Sequence, residues 1–98
     1  MNIEKKVDKT QLWIGISGRL DTMTAPMLEK TLKIEIDGKE ILIIDFADVE
    51  YISSAGLRVL LSAQKIMKKQ GEMVIKNVNS TIMEIFDVTG FSEILTIQ

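Results

Sequence analysis

The sequence contains no cysteine and no histidine. The first absence excludes disulfides and thiolate metal sites, and it suits a reducing cytoplasm. The second removes the commonest general base and the commonest transition-metal ligand. Most enzymatic readings weaken on that ground, and no catalytic residue, metal or cofactor is expected. A basic surplus is missing too. Twelve Lys and Arg stand against fourteen Asp and Glu, a net charge of −2, which argues against direct binding of nucleic acid. No apolar run approaches the roughly 18–20 residues of a membrane span. Met1 to Lys6 lacks the apolar stretch of a signal peptide. Gly15, Gly18 and Gly56 form neither a Walker loop nor a dinucleotide fingerprint.

What is present is ordinary globular composition. Of the 98 residues, 46% are hydrophobic and 27% charged. The whole chain, 1–98, is expected to form one small domain, too small for a deep enclosed active site to come cheaply.

Apolar periodicity predicts the elements in turn. Ile3–Val7 and Gln11–Ser17 read as a hairpin, with Leu12, Ile14 and Ile16 on one face. Gly18–Asp21 reads as a loop. Thr22 or Thr24 is expected to cap a helix over 25–36, with Pro26 in its first turn and Leu28, Leu32 and Ile36 on its inner face. Ile41–Phe46 is an apolar run suited to an interior strand covered on both faces. Ala47–Ile52 reads as a connecting loop. Ser53–Ser54 opens the longest helix, which Gly71 stops. Its inner face is traced by Gly56, Leu57, Leu60, Ala63, Gln64 and Met67 and widened by Val59 and Ile66. A strand over 72–76, a third helix capped by Asn79 or Ser80 and ended by Gly90, and a last strand over 94–97 complete the chain. This order predicts an α/β fold. Its sheet would be mixed and mostly parallel, with four to five strands, about three helices and an antiparallel N-terminal hairpin.

Ser53 and Ser54 are the most informative pair. A hydroxyl at a helix start can cap an unpaired backbone N–H, and the same place tolerates a phosphoryl group. Phosphorylation would add about −1.5 to −2 charges without unfolding the helix. Periodicity and composition leave both readings open. Asp21, Asp45 and Asp48 sit near strand ends where a Mg²⁺–phosphate pair binds in open sheets, although turn chemistry explains them more simply. Met23, beside Asp21, is expected to be an exposed contact, while core filling is the better reading for methionines on apolar faces. Trp13 and Phe91 suit either an exposed anchor or packing.

The run Asp45-Phe46-Ala47-Asp48-Val49-Glu50-Tyr51-Ile52-Ser53-Ser54-Ala55-Gly56-Leu57-Arg58-Val59-Leu60-Leu61 resembles the central motif of STAS domains, the bacterial anti-sigma factor antagonists. Gly18-Arg19-Leu20-Asp21, Gly71–Ile75 and Ile85–Phe91 resemble further family segments in the same order. The resemblance implies a STAS-like fold and a cytoplasmic, non-enzymatic regulator. Unphosphorylated, such a protein binds an anti-sigma factor serine kinase and so frees a sigma factor. The kinase switches it off by phosphorylating one serine, and a serine phosphatase restores it. By position that serine is Ser54, with Ser53 as the alternative. Asp21, Met23, Ser53, Ser54, Ala55, Gly56 and Arg58 would then line the partner-binding surface. Two neighbours depart from the family pattern: Ser53 stands where many members have Asp, and Ala55 where a hydroxylated residue is usual. Family members also often continue into another helix, whereas this sequence ends at Gln98. The competing expectation is a STAS-type interaction subunit of another signalling or transport complex, with Ser54 unmodified.

Overall fold

A computed structural model describes all of residues 1–98. Five strands form one sheet in the order β1-β2-β3-β4-β5. They are β1 (Asn2–Val7), β2 (Gln11–Leu20), β3 (Ile41–Ile52), β4 (Glu72–Lys76) and β5 (Thr96–Ile97). β1 runs antiparallel to β2, and every other pairing is parallel. The helices are α1 (Ala25–Glu35), α2 (Ser54–Gln70), α3 (Ser80–Thr89) and the single turn α4 (Phe91–Ile94). Four helices replace the expected three. Gly90, in the left-handed region at φ 83°, ends α3, and the chain turns directly into α4. That turn takes up Ile94, so the last strand shrinks to two residues.

Strict alternation sends Leu12, Ile14 and Ile16 of β2 and Leu42, Ile44 and Phe46 of β3 into the core. They meet Leu28 and Leu32 of α1, Leu57, Leu60, Ala63 and Met67 of α2, and Ile82 and Phe86 of α3 in one buried cluster. The Phe46 and Phe86 rings pack at 6.1 Å between centroids, tilted by 48°. A fully buried side chain of this kind contributes about 1.5–3 kcal/mol. Ile66, expected on the inner face of α2, is instead 40% exposed, because the buried stripe runs through Val59, Ala63 and Met67.

The structure corrects the expectation that helices cover both faces of β3. This cluster lies against one face of the sheet. On the other, Trp13, Ile43 and Val74 form a row across β2, β3 and β4, through the register Trp13–Ile43–Val74. That row accounts for the unbroken apolar run at 41–44 without any second helical layer. The Trp13 ring lies over Gly15, where a Cβ would collide with it, and Lys6 sits 4.9 Å from the ring centre.

Two further segments differ from their expected state. Ala47–Ile52 is the second half of β3, and Gly18–Leu20 is the end of β2. Two irregularities in the β2–β3 register explain the difference. Gly15 and Ser17 face Asp45 and Asp48, and Gly18 and Arg19 face Val49 and Tyr51. At each step β3 supplies one extra residue, as in a β-bulge. Buried positions then fall three apart, at Phe46, Val49 and Ile52. A period of three hides a strand from a search for alternation.

Polar contacts close the remaining joints. Asn79 accepts from Ile82 N–H and donates to the Val49 carbonyl at 2.9 Å, tying the start of α3 to β3. Gln70 donates to the carbonyls of Ile36 and Lys39, closing the end of α1. Gly71 follows α2 where the chain passes against Glu40, and a Cβ there would strike the Glu40 carbonyl. Gly71→Ala should therefore lower the unfolding free energy by about 1–3 kcal/mol, as overpacking does. A urea denaturation midpoint unchanged from wild type would contradict that close approach.

Candidate functional site

The ends of β2 and β3 and the starts of α1 and α2 meet at one corner of the molecule. The joint is a backbone hydrogen bond, Ser53 N–H to the Leu20 carbonyl at 2.9 Å. Gly56 makes the joint possible. A Cβ on Gly56 would lie 2.8 Å from side-chain atoms of Leu20 and Ile52 and 3.0 Å from the Leu20 carbonyl oxygen. The first turn of α2 thus rests directly on the end of β2. This contact sets the turn that begins at Asp21 next to Ser53, and Thr22, Ala25 and Pro26 line a groove with Ala55 and Arg58.

The two serines have different jobs. Ser53 occupies the cap position in an extended conformation, and its hydroxyl accepts from Gly56 N–H at 3.4 Å. Ser54 is the first helical residue and is exposed, and its hydroxyl makes no hydrogen bond. Ala55 is half-buried against the core, and Gly56 is buried. Arg58 is exposed, one turn further along, in a groove between α1 and α2 lined by Thr22, Ala25, Pro26 and Glu29.

Asp21 is occupied by its own turn. Its Oδ1 accepts from Met23 N–H at 3.0 Å and Thr24 N–H at 3.1 Å, and its own N–H donates to the Thr24 hydroxyl at 2.8 Å. This reciprocal pair works as a capping box. Thr24 stands at the formal cap of α1 but makes no side-chain cap bond to the helix. Its hydroxyl donates back to the Arg19 carbonyl at 2.6 Å. Partial desolvation pushes the Asp21 pKa up, but the hydrogen bonds from Thr24 and Met23 and the Arg19 charge outweigh it. The carboxyl is held below its ordinary value. Met23, on the same turn, is 83% exposed, so the expected exposure is met.

Arg19 and Tyr51 also belong to this corner and were not singled out in the sequence. The guanidinium carbon of Arg19 lies 4.4 Å from the centre of the Tyr51 ring, and Arg19 Nε is 3.6 Å from Asp21 Oδ2. The two residues are register partners across β2 and β3. Both fall in stretches that read as loops, so only knowledge of the bulged register would have paired them. Asp45 and Asp48 lie apart from the serines on the open sheet face. Asp45 Oδ1 accepts from Ala47 N–H and Asn77 Nδ2, which is turn chemistry. No group of three or more Asp and Glu side chains gathers into a cation cage.

Two outcomes follow from this geometry. Ser53→Ala should cost about 0.5–1 kcal/mol, the low end for a lost cap because the bond is long. Ser54→Ala should leave stability unchanged within about 0.5 kcal/mol, and chemical denaturation distinguishes them; equal losses would contradict the division of roles. Protonating Asp21 should loosen its turn. Since its folded pKa is depressed, its contribution is complete above the unfolded value of about 3.9 and is lost as the pH falls through the lower folded value. Amide exchange at Met23 and Thr24, corrected for the intrinsic pH dependence, should accelerate in that window and not between pH 5 and 7.

Comparison with known proteins adds the relationships. The anti-sigma-B factor antagonist of Bacillus subtilis is 31% identical over 100 residues, covering 100% of this chain and 91% of that protein. The crystal structure of an anti-sigma factor antagonist from Mycobacterium paratuberculosis superposes with a TM-score of 0.86 at 22% identity, covering 98% of this chain and 83% of that one. The phosphorylated form of the Bacillus cell fate determinant SpoIIAA gives a TM-score of 0.76 at 16% identity, covering 99% and 91%. These two structures share the fold. The family model for the STAS domain matches residues 2–98, so the five-stranded sheet, its helical layer and the serine-bearing corner are those of a chain that belongs to the STAS domain family.

Proposed function

We propose that this protein is an anti-sigma factor antagonist switched by phosphorylation of Ser54. In its unmodified form it binds an anti-sigma factor that is also a serine kinase, and a sigma factor is released. The kinase moves a phosphoryl group from ATP to Ser54 Oγ, the hydroxyl proton leaves, and ADP departs. The modified chain no longer binds, and a serine phosphatase reverses the change by hydrolysis. The relatives named as anti-sigma-B factor antagonists support the class of function.

The observation that carries the choice of serine is the free hydroxyl of Ser54. It is exposed and bonded to nothing, whereas the Ser53 hydroxyl holds Gly56 N–H. A phosphate on Ser54 leaves the cap in place. It also stands at the positive end of a 17-residue helix, where an anion is favoured by about 0.3–1 kcal/mol. A phosphate on Ser53 would disturb the cap itself. The chain therefore keeps one shape in both states, and the partner reads a change of charge on a rigid corner. Met23, exposed on the turn that follows Leu20, supplies adaptable apolar contact. Ala55 and Gly56 set how closely the helix start sits on β2. Asp21 shapes the turn that presents Met23, so its part in recognition is indirect, through the position of that turn.

Incubation with the cognate kinase and ATP should add one phosphate by intact mass. Ser53→Ala should still be modified, and Ser54→Ala should not. Modification that persists in Ser54→Ala and vanishes in Ser53→Ala would move the switch to Ser53. An unmodified chain that binds an unrelated signalling or transport partner tightly would overturn the reading.

A further inference from the structure

We propose that Arg58 is the internal counter-charge for a phosphate on Ser54, so that modification captures this arginine as well as adding negative charge. The inference rests on the reading of Ser54 as the modified residue. Ser54 and Arg58 are four residues apart within α2. Side chains at that spacing are neighbours on one helix face, about 5–6 Å apart at Cβ, and an anion preceding a cation is the favourable order.

Arg58 is free to respond. It is exposed and enters no ion pair; the three ion pairs join Lys5 to Glu35, Arg19 to Asp21 and Lys33 to Glu29. The two cation–π contacts belong to Lys6 and Arg19. The sequence has one other arginine, Arg19, and that one is stacked on Tyr51. Among the groups around Arg58, the Glu29 carboxylate lines the same groove but is held by Lys33 at 3.5 Å. A dianion one turn away is a stronger partner than a carboxylate already paired, and a guanidinium fits phosphate oxygens with two parallel hydrogen bonds.

The consequence reaches beyond the serine. In the unmodified chain Arg58 stands in the groove with Thr22, Ala25, Pro26 and Ala55, open to an acidic group of a partner. In the modified chain it turns back along α2 toward the phosphate. The partner then meets a new anion and also loses a cation it used. One modification thus alters two points of the same surface, with no movement of the backbone.

The test uses full-length protein with phosphoserine placed at position 54 by chemical ligation, followed by ³¹P NMR over pH. The second ionisation of phosphoserine lies near about 6, and a nearby cation lowers it. Arg58→Gln should raise it by roughly 0.15–0.4 unit, Arg58→Lys should recover part of the shift, and 1 M salt should shrink the difference. Circular dichroism checks that α2 is intact in each variant. A second readout needs no substitution: the side-chain Nε–H resonance of Arg58 should shift when the phosphate is present. An identical titration in Arg58→Gln, or an unmoved Arg58 resonance, would overturn the proposal. The phosphate is installed chemically. Failure of a kinase to modify Ser54 would therefore count against the functional reading and leave this measurement standing.

Discussion

The backbone hydrogen bond from Ser53 N–H to the Leu20 carbonyl is the contact on which the corner that carries Ser54 depends. It forms because position 56 carries no side chain and the first turn of α2 can lie on the end of β2. Leu20 is fully buried, Ile52 nearly so, and their neighbours Asp21 and Ser53 are the first residues of the exposed corner. One close approach therefore joins the core to the surface. Any side chain at position 56 would push α2 away from β2 and shift Ser54 relative to Met23. The corner rests on buried side chains, Leu20 and Ile52, packed against Gly56.

The bulges in β3 serve the same end. With regular alternation beyond Phe46, Asp48 and Glu50 would face the core and Val49 would not. Two extra residues, near Ala47 and Glu50, shift the phase twice, so that Val49 is buried between them and Ile52 regains the phase of Phe46. They also place Tyr51 under Arg19, and Arg19 against Asp21. The Asp21 turn is thereby fastened from three sides: by Arg19, by the Thr24 hydroxyl, and through Leu20 by Ser53. A loop so held presents Met23 in a fixed place. Under the proposed function, a partner that docks on this turn would pay little conformational entropy for ordering it.

Much of this was legible in the sequence, for local reasons. The limits of α2 followed from Ser53 at one end and Gly71 at the other. The hairpin followed from the alternation of Leu12, Ile14 and Ile16, and α3 from Asn79 and Gly90. The β3 extension was not legible, because its buried residues recur every third position and mimic a loop. The open sheet face was hidden by Ile43, whose apolar neighbours at 42 and 44 suggested two covered faces when Trp13 and Val74 suffice. Ser53 and Ser54 read alike as a pair of hydroxyls. Only the bond from Gly56 N–H to the Ser53 hydroxyl separates the capping serine from the free one. The engagement of Asp21 with Thr24 is a box of spacing three, but the irregular turn ahead of α1 pointed to Thr22 and Thr24 as caps instead.

Phosphorylation of Ser54 is proposed to change binding without a change of backbone shape. The direct measurement is the affinity of the cognate anti-sigma factor for the unmodified chain and for the chain carrying phosphoserine at 54. Isothermal titration of both forms at one ionic strength would supply it. The account predicts a loss of at least about 100-fold on phosphorylation, the scale of a few kcal/mol of charge repulsion and lost pairing. Equal affinity for the two forms would contradict it.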